Sequence, residues 1–318
     1  MQRWIKSLRP RLKKLRADCG LETCHNRWFA TDLPTTLPGI RVGDEWFCSA
    51  DCFAATAKMR IEKLAGVRVI RKQHRPRLSV ELTLISKGYL TGDQLRFART
   101  EARRRREDPE AALLRLGLVT EKQLAAARAA QWGCPALGPD HVALPLQADL
   151  PTLLLLEYSA VPLHYSPAQK RLLLGFVHRV HHDLLQSIEA VTGCRPEPCF
   201  ITRDEFEAQM EQLRDAPSYT QESPRHLRSA AQMARALGGH ALDLAAQAAS
   251  FTLCGSYIWV RIAGRRGTRD ILFPVGNARE REALRPAAEF TRLEQLPSPA
   301  DICRRWWHNA AKTLLGRP

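Results

Sequence analysis

The chain has 318 residues, 45% hydrophobic and 25% charged, with 48 Lys and Arg against 33 Asp and Glu for a formal net charge of +15. That composition excludes wholesale disorder, and the length predicts two or three domains, each able to bury a core. No run reaches the roughly 18 uncharged apolar residues of a membrane-spanning helix, the basic N-terminus lacks the apolar stretch of an export signal, and nine cysteines in so long a chain argue against a secreted disulfide framework. A reducing cytoplasm is the expected setting. The basic excess is uneven: residues 1–75 hold 16 Lys and Arg against 7 Asp and Glu, a net +9 that leaves +6 for the rest. The first 16 residues carry seven bases and no acid. Such a surplus can meet the phosphates of nucleic acid or an anionic membrane surface, and can equally be a solvated face.

Trp4, Leu8, Leu12 and Leu15 fall on one helical stripe with bases opposite, interrupted by Pro10. A basic amphipathic segment can lie on a membrane; here the stripe is expected to pack on the module that follows. Cys19 and Cys24 form a C-x4-C pair, and Cys48 and Cys52 form C-x3-C after a 23-residue gap. Four thiolates in two close pairs suit tetrahedral zinc, each pair spanning one edge of the tetrahedron. Between the pairs, residues 40–42 and 45–47 flank Gly43 and Asp44, which predicts a β-hairpin with a two-residue turn. Ser49 is a predicted N-cap for a helix over residues 50–64, with Cys52 in its first turn, where a thiolate gains from the positive end of the helix dipole. Knuckle, hairpin and a helix carrying the last ligand resemble the treble-clef class of zinc fingers over residues 19–65. His25, beside Cys24, is an alternative donor. No carboxylate or activated-water arrangement accompanies the cysteines, so the zinc is expected to be structural.

Next comes an internal repeat with a period of 29. Leu84, Gly88, Thr91, Gln94, Leu95, Ala98 and Arg99 recur as Leu113, Gly117, Thr120, Gln123, Leu124, Ala127 and Arg128. Each copy reads as a helix ended by glycine, a threonine N-cap and a second helix, so two copies make a small four-helix array. Gln131, Gly133 and Pro135 then form a link into a segment with strands at 160–165 and 171–177, a helix at 183–193, a strand at 196–201 and a helix at 203–213.

Repeat, link and α/β order together resemble the N-terminal domain of bacterial type II secretion and type IV pilus assembly ATPases, over roughly residues 78–214. In some members of that family the paired helical motif binds cyclic di-GMP. Where the family's pattern has arginine and glycine, this chain has Ser79 and Glu81 in the first copy and Asp108 and Glu110 in the second. A late apolar position is Arg99 and Arg128, and the closing glutamine survives only as Gln131. Carboxylates in place of cations disfavour a dianionic ligand, so cyclic di-GMP is not expected to bind. The family's motor needs a P-loop, and the dipeptide Gly-Lys does not occur in this sequence.

Residues 215–225 read as a polar linker. Beyond it a helix is expected over 226–236, ended by Gly238 and Gly239, followed by a hairpin of strands 257–262 and 270–275 around a loop at 263–269 and a helical tail carrying Trp306 and Trp307. His178, His181, His182 and Asp183 have some metal-ligand character, although Asp183 also reads as a helix cap. Cys194 and Cys199 read as small buried hydrophobes.

The fold expected is α+β and multidomain: a basic segment with a small four-cysteine zinc module (1–75), a helical repeat pair (78–132) plus a small α/β subdomain (133–214), and a C-terminal helix and β-hairpin domain (226–318). The function expected is that of a cytoplasmic bacterial scaffold without catalytic activity. It would carry a structural zinc ion on Cys19, Cys24, Cys48 and Cys52 and take a protein partner, from secretion or pilus machinery by the resemblance. The alternatives are a cyclic di-GMP receptor with a divergent site and a nucleic-acid-binding zinc protein.

Overall fold

The computed structural model describes residues 16–29, 39–66, 78–138, 149–215, 221–227 and 229–275. The chain divides into two units, 1–275 and 276–318; the second, with Trp306 and Trp307, lies outside the described residues, as does the stripe of Trp4, Leu8, Leu12 and Leu15.

Strands β1 (Arg16–Asp18) and β2 (Arg27–Phe29) pair antiparallel around the first cysteine knuckle. The predicted hairpin follows as β3 (Ile40–Val42) and β4 (Glu45–Phe47). Helix α1 (Ala50–Gly66) starts where Ser49 Oγ accepts from the Cys52 amide at 3.2 Å.

The repeat forms α2 (Val80–Ser86), α3 (Gly92–Arg105), α4 (Pro109–Arg115) and α5 (Glu121–Trp132). Its recurring Thr and Gln are one device. Thr91 Oγ1 accepts from Gln94 N at 3.2 Å while Gln94 Oε1 accepts from Thr91 N at 2.9 Å. Thr120 and Gln123 repeat this capping box at 3.2 and 2.8 Å. Leu84 and Leu113, equivalent in the two copies, are both fully buried in the array's core. Helix α2 packs on α5, and α3 on α4.

After the link, α6 (Thr152–Glu157) leads into β5 (Ala160–Ser166), β6 (Arg171–Phe176), α7 (His182–Thr192), β7 (Arg195–Phe200) and α8 (Arg203–Asp215). β6 pairs antiparallel with β5 and parallel with β7. The link is tied to this sheet: Phe200 N donates to Pro135 O, and Leu137 N to Phe200 O, both at 2.9 Å. The elements expected over 160–213 are therefore present in the expected order, and α6 is an addition to them.

The last described stretch holds β8 (Gln221–Glu222), α9 (Ala230–Asp243), β9 (Ala246–Cys254), β10 (Tyr257–Gly264) and β11 (Gly267–Pro274). Here the structure corrects several expectations. Residues 215–225 are not all linker, because β8 adds a parallel strand to β11. The hairpin strands run further than expected, meeting at Gly264 and Gly267 and leaving Arg265 and Arg266 as the turn. Helix α9 is not ended by Gly238 and Gly239 but passes through both to Asp243. Its close approach to α1 is the reason: a Cβ on Gly238 would lie 3.3 Å from Ala54 Cβ. The helix propensity lost at Gly238, about 1 kcal/mol, is offset by that packing.

The division into separate modules at 1–75 and 226–318 is also revised. One six-stranded sheet runs β4-β3-β9-β10-β11-β8, with Arg41 opposite Ala248 and Val42 opposite Ala249 in a parallel pairing. Three-residue strands cannot bury a face alone, so the cysteine-bearing hairpin docks onto the edge of the C-terminal sheet. Helices α1 and α9 cover one face, and Val42, Phe47, Phe53, Leu237, Val260 and Phe273 share one core there. Alternation along β10 sends Trp259 to the other face, into the core of the three-stranded sheet with Leu154, Leu184, Ile188 and Leu272. Both faces of the large sheet are therefore covered.

Candidate metal centre

Local backbone bonds set the first cysteine pair. Cys19 N donates to Asn26 O at 3.1 Å, Cys24 N to Leu21 O at 2.8 Å, and Gly20 N to Trp46 O at 2.7 Å. The last of these fastens the knuckle to β4, whose end delivers Cys48. Ser49 then starts α1 and puts Cys52 in its first turn, as expected from the sequence. The centre rests on the core beneath α1 and α9, against which Cys19, Leu21, Cys24 and Cys48 pack and of which Cys52 is part.

All four Sγ atoms lie within 4.8 Å of one another. Cys24 and Cys48 approach to 3.7 Å, and Cys48 and Cys52 to 3.6 Å. A disulfide requires about 2.05 Å, and all four cysteines are free thiols. Thiolates about 2.3 Å from a tetrahedral zinc stand about 3.8 Å apart along each edge, so the donor set and its spacing fit such an ion. Burial pushes the Cys52 thiol up to about 12, against the smaller opposing pull of Ser49, and the sulfurs of Cys48, Cys24 and Cys19 push it the same way as burial. A divalent cation removes that obstacle by stabilising the thiolates directly. Four sulfur donors also complete a tetrahedron, leaving no open position for a substrate or water.

His25 is exposed and does not join the group. Among the described residues no other three His, Cys, Asp or Glu side chains converge in this way, so His178, His181, His182 and Asp183 do not make a second centre. Asp183 accepts from the Tyr158 hydroxyl at 2.8 Å instead of capping a helix. Cys199 is buried as expected, its thiol raised to about 12 by burial, while Cys194 is only partly so. Apart from Arg16, the bases of the first 16 residues lie outside the described residues.

In the helical array, the positions that depart from the cyclic di-GMP pattern face each other. Arg99 Nη2 lies 3.5 Å from Glu81 Oε1, and Arg128 pairs with Glu110 at the equivalent place in the second copy. That the two departures compensate each other emerges only from the structure, although an 18-residue spacing common to both copies is the signal that could have found it.

Among the described residues no helix is long and apolar enough to cross a membrane. No family model matches the chain, and no curated protein does. Among solved structures, the chain is similar to the N-terminal domain of XpsE at 21% identity over 44% of this chain and 97% of that one, with a TM-score of 0.34. A second crystal form of that domain has a TM-score of 0.26. The chain is also similar to MshE with cdg, at 16% identity over 43% of this chain and 99% of that one, with a TM-score of 0.36.

Proposed function

We propose that the chain is a cytoplasmic, non-catalytic scaffold for regulation or protein interaction, of the secretion and pilus assembly kind, with a structural zinc ion on Cys19, Cys24, Cys48 and Cys52. The observation that carries this reading is the sulfur cluster itself, closed by four donors and seated beside β4, the edge strand of the large sheet. All four donors fall within residues 19–52, so a metal there fastens the first knuckle to the start of α1, which is structural work. The ion pairs of the helical array support the same reading. They fill with self-satisfied charge the positions at which the resembling family can hold a ligand.

Metal analysis of the purified chain tests the zinc: about one ion per chain is expected, lost in Cys48→Ser, and unchanged stoichiometry in that variant refutes the site. A nucleotide hydrolysis assay tests the absence of catalysis, and robust turnover overturns it. Genes for secretion or pilus assembly adjacent to this one are the expected setting of the partner.

A further inference from the structure

Asn26 stands one step beyond the pairing of β1 with β2. Asp18 is opposite Arg27 in that ladder, and the next rung is the bond from Cys19 N to Asn26 O at 3.1 Å. The same residue meets two sulfurs. Its backbone N–H donates to Cys24 Sγ, and its side-chain amide donates to Cys48 Sγ. One asparagine thus bonds to three of the four cysteines and spans both pairs, the knuckle at 19–24 and the pair at 48–52.

The backbone contacts need no particular side chain. Any residue that keeps the turn at 26 supplies a carbonyl to Cys19 and an N–H to Cys24. The bond to Cys48 is different, because a side chain must reach from the first pair across to the second. Asparagine suits this, being short and carrying two N–H donors without a charge. Asn26 is exposed, so its side chain is not there to fill the core, and truncating it opens no cavity.

A donor at this place has a physical task. Four thiolates around a divalent ion leave a centre of net negative charge, and this one packs on an apolar core. Arg27, the next residue in the chain, is paired with Asp18 at 3.4 Å. Hydrogen bonds to a thiolate favour its charged form and spread its charge. At Cys48 burial pushes the thiol up, and the Asn26 amide, with the other sulfurs, brings it below its ordinary value.

We propose that Asn26 is a positioning residue of the metal centre, whose side-chain amide fixes the Cys48 sulfur among the other three and draws negative charge off it. The inference rests on the zinc reading above and adds to it a residue that is not itself a ligand.

The test uses the full chain, with zinc affinity measured by competition against a chromophoric chelator and cobalt(II) as a spectroscopic substitute. Asn26→Ala removes the side-chain donor and keeps both backbone bonds, whereas Asn26→Asp keeps the shape and sets a carboxylate beside the thiolates. Zinc affinity is expected to fall about 10-fold in the first and further in the second, within the roughly 10–100-fold range of such outer partners. Without the N–H the sulfur is more electron-rich, so the sulfur-to-cobalt charge-transfer band moves to lower energy in both, while the visible bands keep their tetrahedral pattern. Asn26→Gln, with the amide on a longer arm, recovers part of each effect. A merely structural asparagine gives weaker binding with the band unmoved, and that result overturns the assignment. Failure of both Asn26→Ala and Asn26→Gln to fold also marks a structural role and overturns it. Wild-type affinity and spectrum in Asn26→Ala remove the inference and leave the zinc reading standing, whereas an unaltered chain that takes up no zinc refutes both.

Discussion

Arg128 is 5% exposed, and its guanidinium is shared between the Glu110 carboxylate and the carbonyl of Val177. One ion pair thus joins the two helices of the second repeat and ties them to the α/β subdomain. Its counterpart one period earlier, Arg99 with Glu81, has Arg99 about half exposed. Sequence equivalence hides an energetic difference. Removing Glu110 leaves a buried cation short of a partner, whereas removing Glu81 leaves one that water can solvate. Glu110→Gln is expected to cost about 2–3 kcal/mol, reduced from the fully buried case because Glu110 is itself partly exposed, and Glu81→Gln under about 1 kcal/mol. Urea denaturation of the two variants measures both, and equal losses would sink the argument.

The same pairs bear on ligand binding. With both copies internally neutralised, calorimetry with cyclic di-GMP is expected to show no heat of binding to the intact chain. A saturable signal would mean that the pairs open, and would favour the receptor alternative.

Tyr158 and Gly255 meet where the α/β subdomain covers the large sheet. Gly255 has φ +56°, and a Cβ there would fall 2.1 Å from the Tyr158 hydroxyl. Gly255→Ala therefore combines left-handed strain with a direct clash, for a loss of about 2–4 kcal/mol. Tyr158→Phe alone removes the bond to Asp183 for about 1 kcal/mol. Together the two changes should cost less than their sum, because the phenylalanine makes room for the methyl. Strict additivity in the double-mutant cycle would show that the clash plays no part.

Asp270 has no exposed surface, and it accepts from Trp259 Nε1 at 2.5 Å and from Arg261 Nε at 2.9 Å. Arg261 also lies 5.5 Å over the Trp259 ring. Asp270→Ala takes the acceptor from an indole N–H and the carboxylate from a largely buried guanidinium, which keeps its bond to the Asp149 carbonyl, at about 3 kcal/mol. Arg261→Met with Asp270→Leu should recover part of this, since the uncompensated charge is gone while the Trp259 N–H stays without its acceptor. Thermal unfolding of both variants checks it, and a double variant no better than Asp270→Ala refutes the charge explanation.

What can be read from the sequence is local. Thr91 with Gln94 and Thr120 with Gln123 carry their own bonds within three residues, and each cysteine pair is a short-range spacing. Strand β9 escapes such a reading because Ala246, Ala248 and Ala249 have little β propensity, and its conformation is fixed by β3 on one side and β10 on the other. Gly238 reads as a helix stop because the helix that needs its missing Cβ, α1, lies far away in sequence. The joining of Val42 to Ala249 is hidden for the same cause: edge pairing between short strands leaves no periodicity in either segment.

That pairing sets what metal removal should do. If the cysteines staple only their own knuckle, chelation loosens residues 16–29 and little else. The observed sheet requires more, because Cys48 and Cys52 bracket the start of α1, and α1 packs on α9 over the same core as β9 and β10. Chelation is therefore expected to lower amide protection across 40–66 and, in step, across 230–254, while the helical array over 78–132 keeps its own, since its core of Leu84, Leu113 and Leu124 contains nothing from the metal-bearing segment. Hydrogen exchange before and after chelation, followed by restoration with zinc, distinguishes these outcomes. A uniform loss over the whole chain, or one confined to 16–29, would contradict a centre that holds the edge of the large sheet in place.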